Sequence, residues 1–140
     1  MKYLSGIHAL NLKCSLETCG DWHQSALKWE NLTWMESDQS IFKDYGIETN
    51  REDLAIIGLR KINIANHIRA ILDLLVERKF PLAQGMNNDF ICNDKYDDEI
   101  FHKVMELKNL PYFDEISNFM GKEYKMKWIR FLENVQYVFG

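Results

Sequence analysis

The pattern of apolar and polar positions divides the chain into a first third that favours strands and a remainder that favours helices. The segment "KYLSGIHALNL" carries no helical stripe, while "HQSALKW" and "NLTWME" are short, aromatic-rich and partly alternating. Such segments are typical of strands, and the polar residues between the last two predict a hairpin near Glu30 and Asn31. The sequence therefore predicts a small N-terminal antiparallel β-sheet.

A helical pattern starts after this region and is strongest in the middle of the chain. Asn50 is a good N-cap, and Pro81 is a helix stop. The positions of one stripe between them recur at spacings of three and four, and all but Lys61 are apolar: Leu54, Ile57, Lys61, Ile64, Ile68, Ile71 and Leu75. This pattern predicts a long central helix near 51–80.

The last third predicts three further helices after a turn-rich loop. Asp97 is expected to cap the first, Pro111 lies near the start of the second, and Gly121 ends it. The apolar positions of the first and last helices are Ile100, Phe101, Val104 and Leu107, and Tyr124, Trp128, Phe131 and Val135. The predicted fold class is α+β, a small sheet followed by about four helices, in one domain over 1–140.

Composition and charge narrow the classes of function. The net charge of −4 makes nucleic acid an unfavourable partner, since binding to phosphates needs a basic surface. No apolar run is long enough to span a membrane, and the N-terminus lacks the core of a signal peptide. Three cysteines cannot form a complete disulfide framework, which fits a reducing compartment. We therefore expect a cytoplasmic protein without a membrane partner.

Cys14, Cys19 and His23 form the most conspicuous group of chemically active residues. Thiolates and imidazoles are zinc ligands, and a closed structural site needs four of them, so His8 or Cys92 would have to complete it. The alternative is a turn made by Gly20, and this interpretation needs no metal or other cofactor.

Arg60 and His67 are seven residues apart on the predicted central helix, which brings them to one edge. This spacing resembles the Arg-x4–6-His motif of HEPN ribonucleases. The resemblance implies that Arg60 stabilises phosphate charge and that His67 acts as acid and base, in a homodimer. Lys61 departs from that motif, and the predicted N-terminal sheet departs from the all-helical fold of that family.

An acidic stretch follows the turn-rich loop and invites a calcium interpretation. An EF-hand needs oxygen ligands at alternate positions and a glycine at the sixth, and "DFICNDKYDDEI" lacks both. We interpret Asp94, Asp97 and Asp98 as helix-capping and solvated residues that could also face a basic partner protein.

Four segments carry a resemblance to a known family: "CGDWHQSALKW", "SIFKDYGIE", "NIANHIRAILDLL" and "AQGMNNDFICND". Together they resemble a family of small, uncharacterised bacterial proteins associated with mobile elements and with toxin–antitoxin-type gene pairs. The resemblance implies a cytoplasmic protein whose work is to bind another protein. It assigns no functional residues.

The favoured hypothesis is a non-catalytic protein-binding module, such as an antitoxin-like neutraliser of a toxin encoded nearby. It accounts for the acidic patches, the aromatic content and the lack of a catalytic motif. The predicted partner-binding residues are Trp22, His23, Asp94, Asp97 and Asp98. The alternatives are a ribonuclease that uses Arg60 and His67, and a metal-binding module that uses Cys14, Cys19 and His23.

Overall fold

The computed structural model describes residues 1–21, 27–52 and 61–139, the last four of them as backbone only. Four strands form one sheet: β1 (Lys2–Leu4), β2 (Trp34–Glu36), β3 (Ile47–Arg51) and β4 (Ile62–Ala65). Their order in the sheet is β2-β1-β4-β3. The pairs β1–β2 and β3–β4 are antiparallel, whereas β1 and β4 are parallel. The sheet is therefore mixed, and the expectation of a purely antiparallel sheet is wrong.

The α-helices are α1 (Gly6–Leu10), α2 (His67–Val76), α3 (Phe80–Ala83), α4 (Asp97–Met105), α5 (Phe113–Tyr124) and α6 (Met126–Phe139). Short 3₁₀ turns occupy Ser37–Gln39 and Asp94–Tyr96, and a π-helical turn occupies Met86–Ile91. The α+β class is confirmed. No helix in the described part of the chain is both long enough and apolar enough to cross a membrane.

Helix α2 is the centre of the molecule because its residues from His67 to Leu75 are all buried. It packs against α1, α3, α4 and β4. A second group of buried rings surrounds Phe101, whose ring meets those of Tyr124 and Trp128 edge to face. These aromatic contacts join α4 to α5 and α6. Trp128 has no exposed surface, as the pattern of the last helix predicts.

The long helix predicted near 51–80 is wrong over much of its length. Arg51 ends β3, Ile62–Ala65 forms β4, His67–Val76 is helical, and Phe80 already begins the separate helix α3. Residues 53–60 lie outside the described part of the chain. Asn50, the predicted N-cap, lies in β3 with φ 55°. The cap is Asn66, whose side-chain oxygen accepts a hydrogen bond from the backbone amide of Arg69.

The first third also differs from the strand prediction in part. "NLTWME" does contain β2, and "KYLSGIHALNL" contains β1, but Gly6–Leu10 of the latter is helical. Strand β2 pairs with β1, and most of "HQSALKW" lies outside the described residues, so the hairpin near Glu30 stays a prediction. A turn does occur there, since the amide of Asn31 donates to the carbonyl of Lys28.

Candidate functional site

A cleft lies between strand β2 and the C-terminal half of α2. It encloses about 730 Å³, and its apolar walls come from Trp34, Met35, Ile41 and Val76. Ile41 is 47% exposed, which is unusual for an isoleucine beside a well-packed core. Lys2 lies over the ring of Trp34, with its ammonium 4.8 Å from the ring centroid.

One wall of this cleft is the edge of the sheet. Strand β2 has β1 as its neighbour on one side, and no strand of the described residues lies on the other. The amide of Ser5 donates to the carbonyl of Thr33, and the amide of Ser37 donates to the carbonyl of Met1. Because bonding direction alternates along a strand, the backbone groups of Trp34 and Glu36 point away from β1. The cleft therefore borders two residues whose amides and carbonyls face the open edge.

Asp73 lies at the floor of the cleft and is 2% exposed. Its Oδ2 accepts hydrogen bonds from the hydroxyls of Tyr3 (2.7 Å) and Ser5 (2.6 Å), and its Oδ1 accepts from Nε of Arg69 (3.1 Å). A carboxylate with these partners is held as an acceptor in a fixed place. Burial, followed by the charge of Asp73, raises the pKa of Tyr3 well above its usual range, so the phenol keeps its proton.

The guanidinium of Arg69 has no exposed surface and completes this network. Its Nη1 donates to the carbonyls of Lys43 (2.7 Å) and Tyr45 (2.5 Å), and its Nη2 donates to the hydroxyl of Tyr3 (2.9 Å). The group thereby ties β1, α2 and the turn before β3 together. The two buried charged groups bond to each other, and the remaining hydrogen bonds go to neighbouring hydroxyls and carbonyls. We therefore interpret the network as structural rather than catalytic.

The sequence singled out neither Asp73 nor the cleft. A signal was available in "HIRAILDLLV", where Arg69 and Asp73 are four residues apart in an otherwise apolar helix. Residues at this spacing lie on the same face of a helix. An ion pair on a face that must be buried indicates a fixed internal network, and here it indicates the floor of the cleft.

His67 lies away from the cleft and is 3% exposed. Its Nε2 is 2.6 Å from the carbonyl oxygen of Leu12, and its Nδ1 is 2.6 Å from Oγ1 of Thr18. Arg60 lies outside the described residues. Strand β4 lies between the two positions, so the helical spacing on which the ribonuclease hypothesis depended does not exist.

The cysteines are not arranged as the metal-binding hypothesis requires. Cys19 and Cys92 form a disulfide with their Cα atoms 6.0 Å apart, and Cys14 is a free, half-buried thiol. Cys19 is therefore not a thiolate that could bind zinc in this structure, and His23 lies outside the described residues. Among the residues that the structure describes, no group of three or more His, Cys, Asp or Glu side chains could hold a metal ion.

The disulfide joins two regions that the sequence proposed as partner-binding. Glu17 contacts Lys95 as an ion pair, and its carbonyl accepts a hydrogen bond from Asn93 (2.9 Å). The loop that leads to Trp22 and His23, which themselves lie outside the described residues, therefore packs against the start of the acidic stretch.

Within the acidic stretch, Asp94 and Asp98 are exposed, whereas Asp97 is half-buried. One oxygen of Asp97 is 3.1 Å from Nζ of Lys127, so much of its charge is compensated within the fold. Among the members of the predicted set that the structure describes, Asp94 and Asp98 remain available to a partner, while Asp97 holds α4 against α6.

Comparison of the chain with protein-family models gave no match, and comparisons with curated proteins and with solved structures gave no significant match. The resemblance to small bacterial proteins of toxin–antitoxin-type gene pairs therefore stays a prediction.

Proposed function

We propose that this protein is a non-catalytic protein-binding module, and that the cleft beside β2 accepts an extended segment of its partner. The observation that carries the proposal is the edge of β2, which no strand of the described residues pairs, along a cleft of about 730 Å³. Extended peptides bind such edges by adding a strand, with backbone hydrogen bonds for affinity and side-chain pockets for specificity. The amides and carbonyls of Trp34 and Glu36 supply the backbone partners.

The chemistry of the cleft favours an apolar, uncharged segment over a charged substrate. Its apolar surface comes from four side chains, its carboxylates are engaged within the fold, and its one lysine, Lys2, lies over the ring of Trp34. Glu36 pairs with the N-terminal ammonium, and Glu77 pairs with Lys79. Both carboxylate oxygens of Asp73 accept hydrogen bonds from buried neighbours. A catalytic site needs a group that can exchange a proton with a substrate or attack it. The Asp73 carboxylate is instead fixed as a hydrogen-bond acceptor within the fold. Trp34 is a suitable anchor because tryptophan is enriched among interface hot spots.

The nature of the partner follows from the resemblance and is part of the same proposal. We propose that the partner is a toxin encoded nearby and that one of its extended segments adds to β2 of this antitoxin-like protein. The Cys19–Cys92 disulfide argues against a strongly reducing compartment, because disulfides persist mainly in oxidising ones. A second copy of this chain, joined edge to edge through β2, is the competing partner.

Photo-crosslinking tests the proposal. A photoreactive amino acid replaces Ile41, which lies in the cleft, or Leu82, which lies on α3 outside it. The two side chains are matched, since they are apolar and 47% and 42% exposed. We expect position 41, in cells of the native host, to crosslink to one protein through an extended peptide, and position 82 to give no such product.

Matched substitutions give the energetic control. Ile41→Lys should weaken binding of the crosslinked protein at least about tenfold, which is about 1.4 kcal/mol, whereas Leu82→Lys should leave the Kd unchanged. Equal crosslinking from both positions would show that any exposed apolar residue reacts, and the proposal would fail. A product obtained only from a photoreactive residue at Asp98 would place the interface on the acidic stretch instead.

A further inference from the structure

The free thiol of Cys14 lies in a loop that is fixed on every side. The Nη2 of Arg51 contacts the carbonyl of Lys13, and the carboxylate of Glu48 accepts hydrogen bonds from the amide (2.8 Å) and hydroxyl (2.7 Å) of Ser15. Glu48 is held in turn by Arg51, with 3.0 Å between Oε1 and Nη1. Strand β3 therefore holds the residues on both sides of Cys14 in place.

The same loop is also held by α2 and by the disulfide. The carbonyl of Leu12 can only accept, so Nε2 of His67 carries a proton and donates to it over 2.6 Å. The other ring nitrogen, Nδ1, faces Oγ1 of Thr18 at 2.6 Å, and that oxygen is 3.6 Å from Sγ of Cys14. An imidazole with fixed orientation thus stands beside the free thiol, with a hydroxyl between them.

Gly20 makes this close approach possible. It has φ +77°, and a Cβ atom at this position would lie 2.8 Å from Cε1 of His67 and 2.8 Å from the carbonyl oxygen of Leu10. The backbone of the loop therefore lies flat against the imidazole, which a larger residue would push away. The local sequence "TCGD" supplies a glycine where the geometry around His67 requires one.

We propose that Cys14 is a reactive thiol activated by His67, and that it is a site of mixed-disulfide formation with low-molecular-weight disulfides. In the reaction, the Cys14 thiol gives its proton to the Thr18 hydroxyl, which passes its own proton to Nδ1 of His67, and the Cys14 thiolate attacks one sulfur of the small disulfide. The S–S bond of that molecule breaks as the new bond to Cys14 forms. Cys14 is oxidised, and the departing sulfur is reduced to a thiolate that takes up a proton.

The electrostatic surroundings agree with this assignment. Burial raises the pKa of the Cys14 thiol, but hydrogen bonds to His67 and the charge of its ring outweigh burial and lower the pKa below its usual range. For His67, burial lowers the pKa, while the interaction with Cys14, the Leu12 carbonyl and the charge of Glu48 raise it overall. The ion pair of Glu48 with Arg51 leaves this part of β3 nearly neutral. A thiolate beside an imidazolium is the reactive form of such a pair.

The test measures the reaction of the full-length protein with oxidised glutathione, with the Cys19–Cys92 disulfide intact. The rate of adduct formation is followed by intact mass from about pH 5 to about pH 9, and the same chain unfolded in urea serves as the reference thiol. We expect the folded protein to reach its half-maximal rate at a lower pH than the unfolded chain, and Cys14→Ser to form no adduct.

A matched pair of substitutions separates activation from simple exposure. His67→Gln should move the half-maximal pH upward. His102→Gln, at a histidine on α4 that contacts the Asp98 carbonyl and the ring of Phe131, should leave it unchanged. If the folded wild-type protein titrates at or above the pH of the unfolded chain, or if the adduct forms on Cys19 or Cys92, the proposal is overturned. The wild-type comparison decides the matter even if His67→Gln does not fold.

Discussion

Replacement of Arg69 by leucine should be the most damaging single substitution in the α2 region. It removes the only cation that the structure shows bonded to the carboxylate of Asp73, which is 2% exposed. It also leaves the carbonyls of Lys43 and Tyr45 without their guanidinium donor. Breaking a buried ion pair by removal of one partner costs about 3–5 kcal/mol. Because the carbonyls of Lys43 and Tyr45 also lose their hydrogen-bond donor, we expect a cost toward the upper end of that range.

Arg78→Leu is the matched control, because it makes the same substitution in an ion pair on the surface. Arg78 and Glu115 are 52% and 49% exposed, and such pairs contribute about 0–1 kcal/mol. The free energy of unfolding of each variant is measured by urea denaturation, with helical circular dichroism as the signal and with the m-values compared. A cost of 3–5 kcal/mol is a large part of the 5–15 kcal/mol typical of a domain of this size.

A double variant tests whether the cost comes from the isolated carboxylate. Arg69→Leu combined with Asp73→Leu removes both buried charges, and replacement of a buried pair by apolar residues is often close to neutral. We expect the double variant to be more stable than Arg69→Leu alone, with a coupling energy of about 1–3 kcal/mol. If Arg69→Leu costs no more than Arg78→Leu, the buried network does not stabilise the fold as argued.

Three further predictions concern the loop around Gly20 and its anchors. Gly20→Ala should destabilise the protein by at least about 1–2 kcal/mol, because it forces an alanine to φ +77° against His67. The control is Gly121→Ala, which lies in a helix and whose added Cβ would have its nearest neighbour 3.9 Å away. In urea denaturation, this control should be neutral or stabilising. Reduction of the Cys19–Cys92 disulfide, which spans 73 residues, should lower the free energy of unfolding by about 4 kcal/mol, and equal midpoints of the oxidised and reduced protein would contradict this. An NMR titration should place the pKa of His67 above its usual value of about 6.5. The contribution of the protonated imidazole to stability is therefore complete below about pH 6.5 and is lost as the pH rises through the pKa of the folded protein. A titration midpoint at or below about 6.5 would refute the predicted upward shift of the pKa.

The presence of the helices in the last third could be predicted from the sequence because each pattern there is local. Their bounds could not, since Gly121, the predicted end of the second helix, lies inside α5, and Tyr124 ends α5 instead of belonging to the last helix. Ile100, Phe101 and Val104 recur at helical spacing and are buried, and Trp128 and Phe131 pack on Phe101 as their shared face predicts. No competing element interrupts these segments. Local periodicity therefore suffices where a helix buries one continuous stripe.

The middle of the chain could not be predicted this way because two elements share one apparent stripe. Ile64 belongs to β4 and Ile68 belongs to α2, yet their spacing of four continues the helical pattern. A short buried strand and a buried helical segment look alike by periodicity alone. The better signals were the β-branched residues of "INIA" and the capping residue Asn66 after them.

The candidate site depends on contacts between distant residues, which the sequence does not display. The pairing of Cys19 with Cys92 spans 73 residues, and the cleft joins β2 to α2 across the sheet. His67 was singled out for its spacing from Arg60, but its actual partners are Leu12 and Thr18.

Hydrogen exchange on the complex with the partner crosslinked at position 41 tests the central claim most directly. The backbone groups of Trp34 and Glu36 point to the open edge of the sheet, so their amides should exchange rapidly in the free protein. We predict that the partner slows exchange at these two amides, because an added strand accepts their hydrogen bonds. Protection confined to residues 94–98, with the β2 amides unchanged, would contradict the account and move the interface to the acidic stretch.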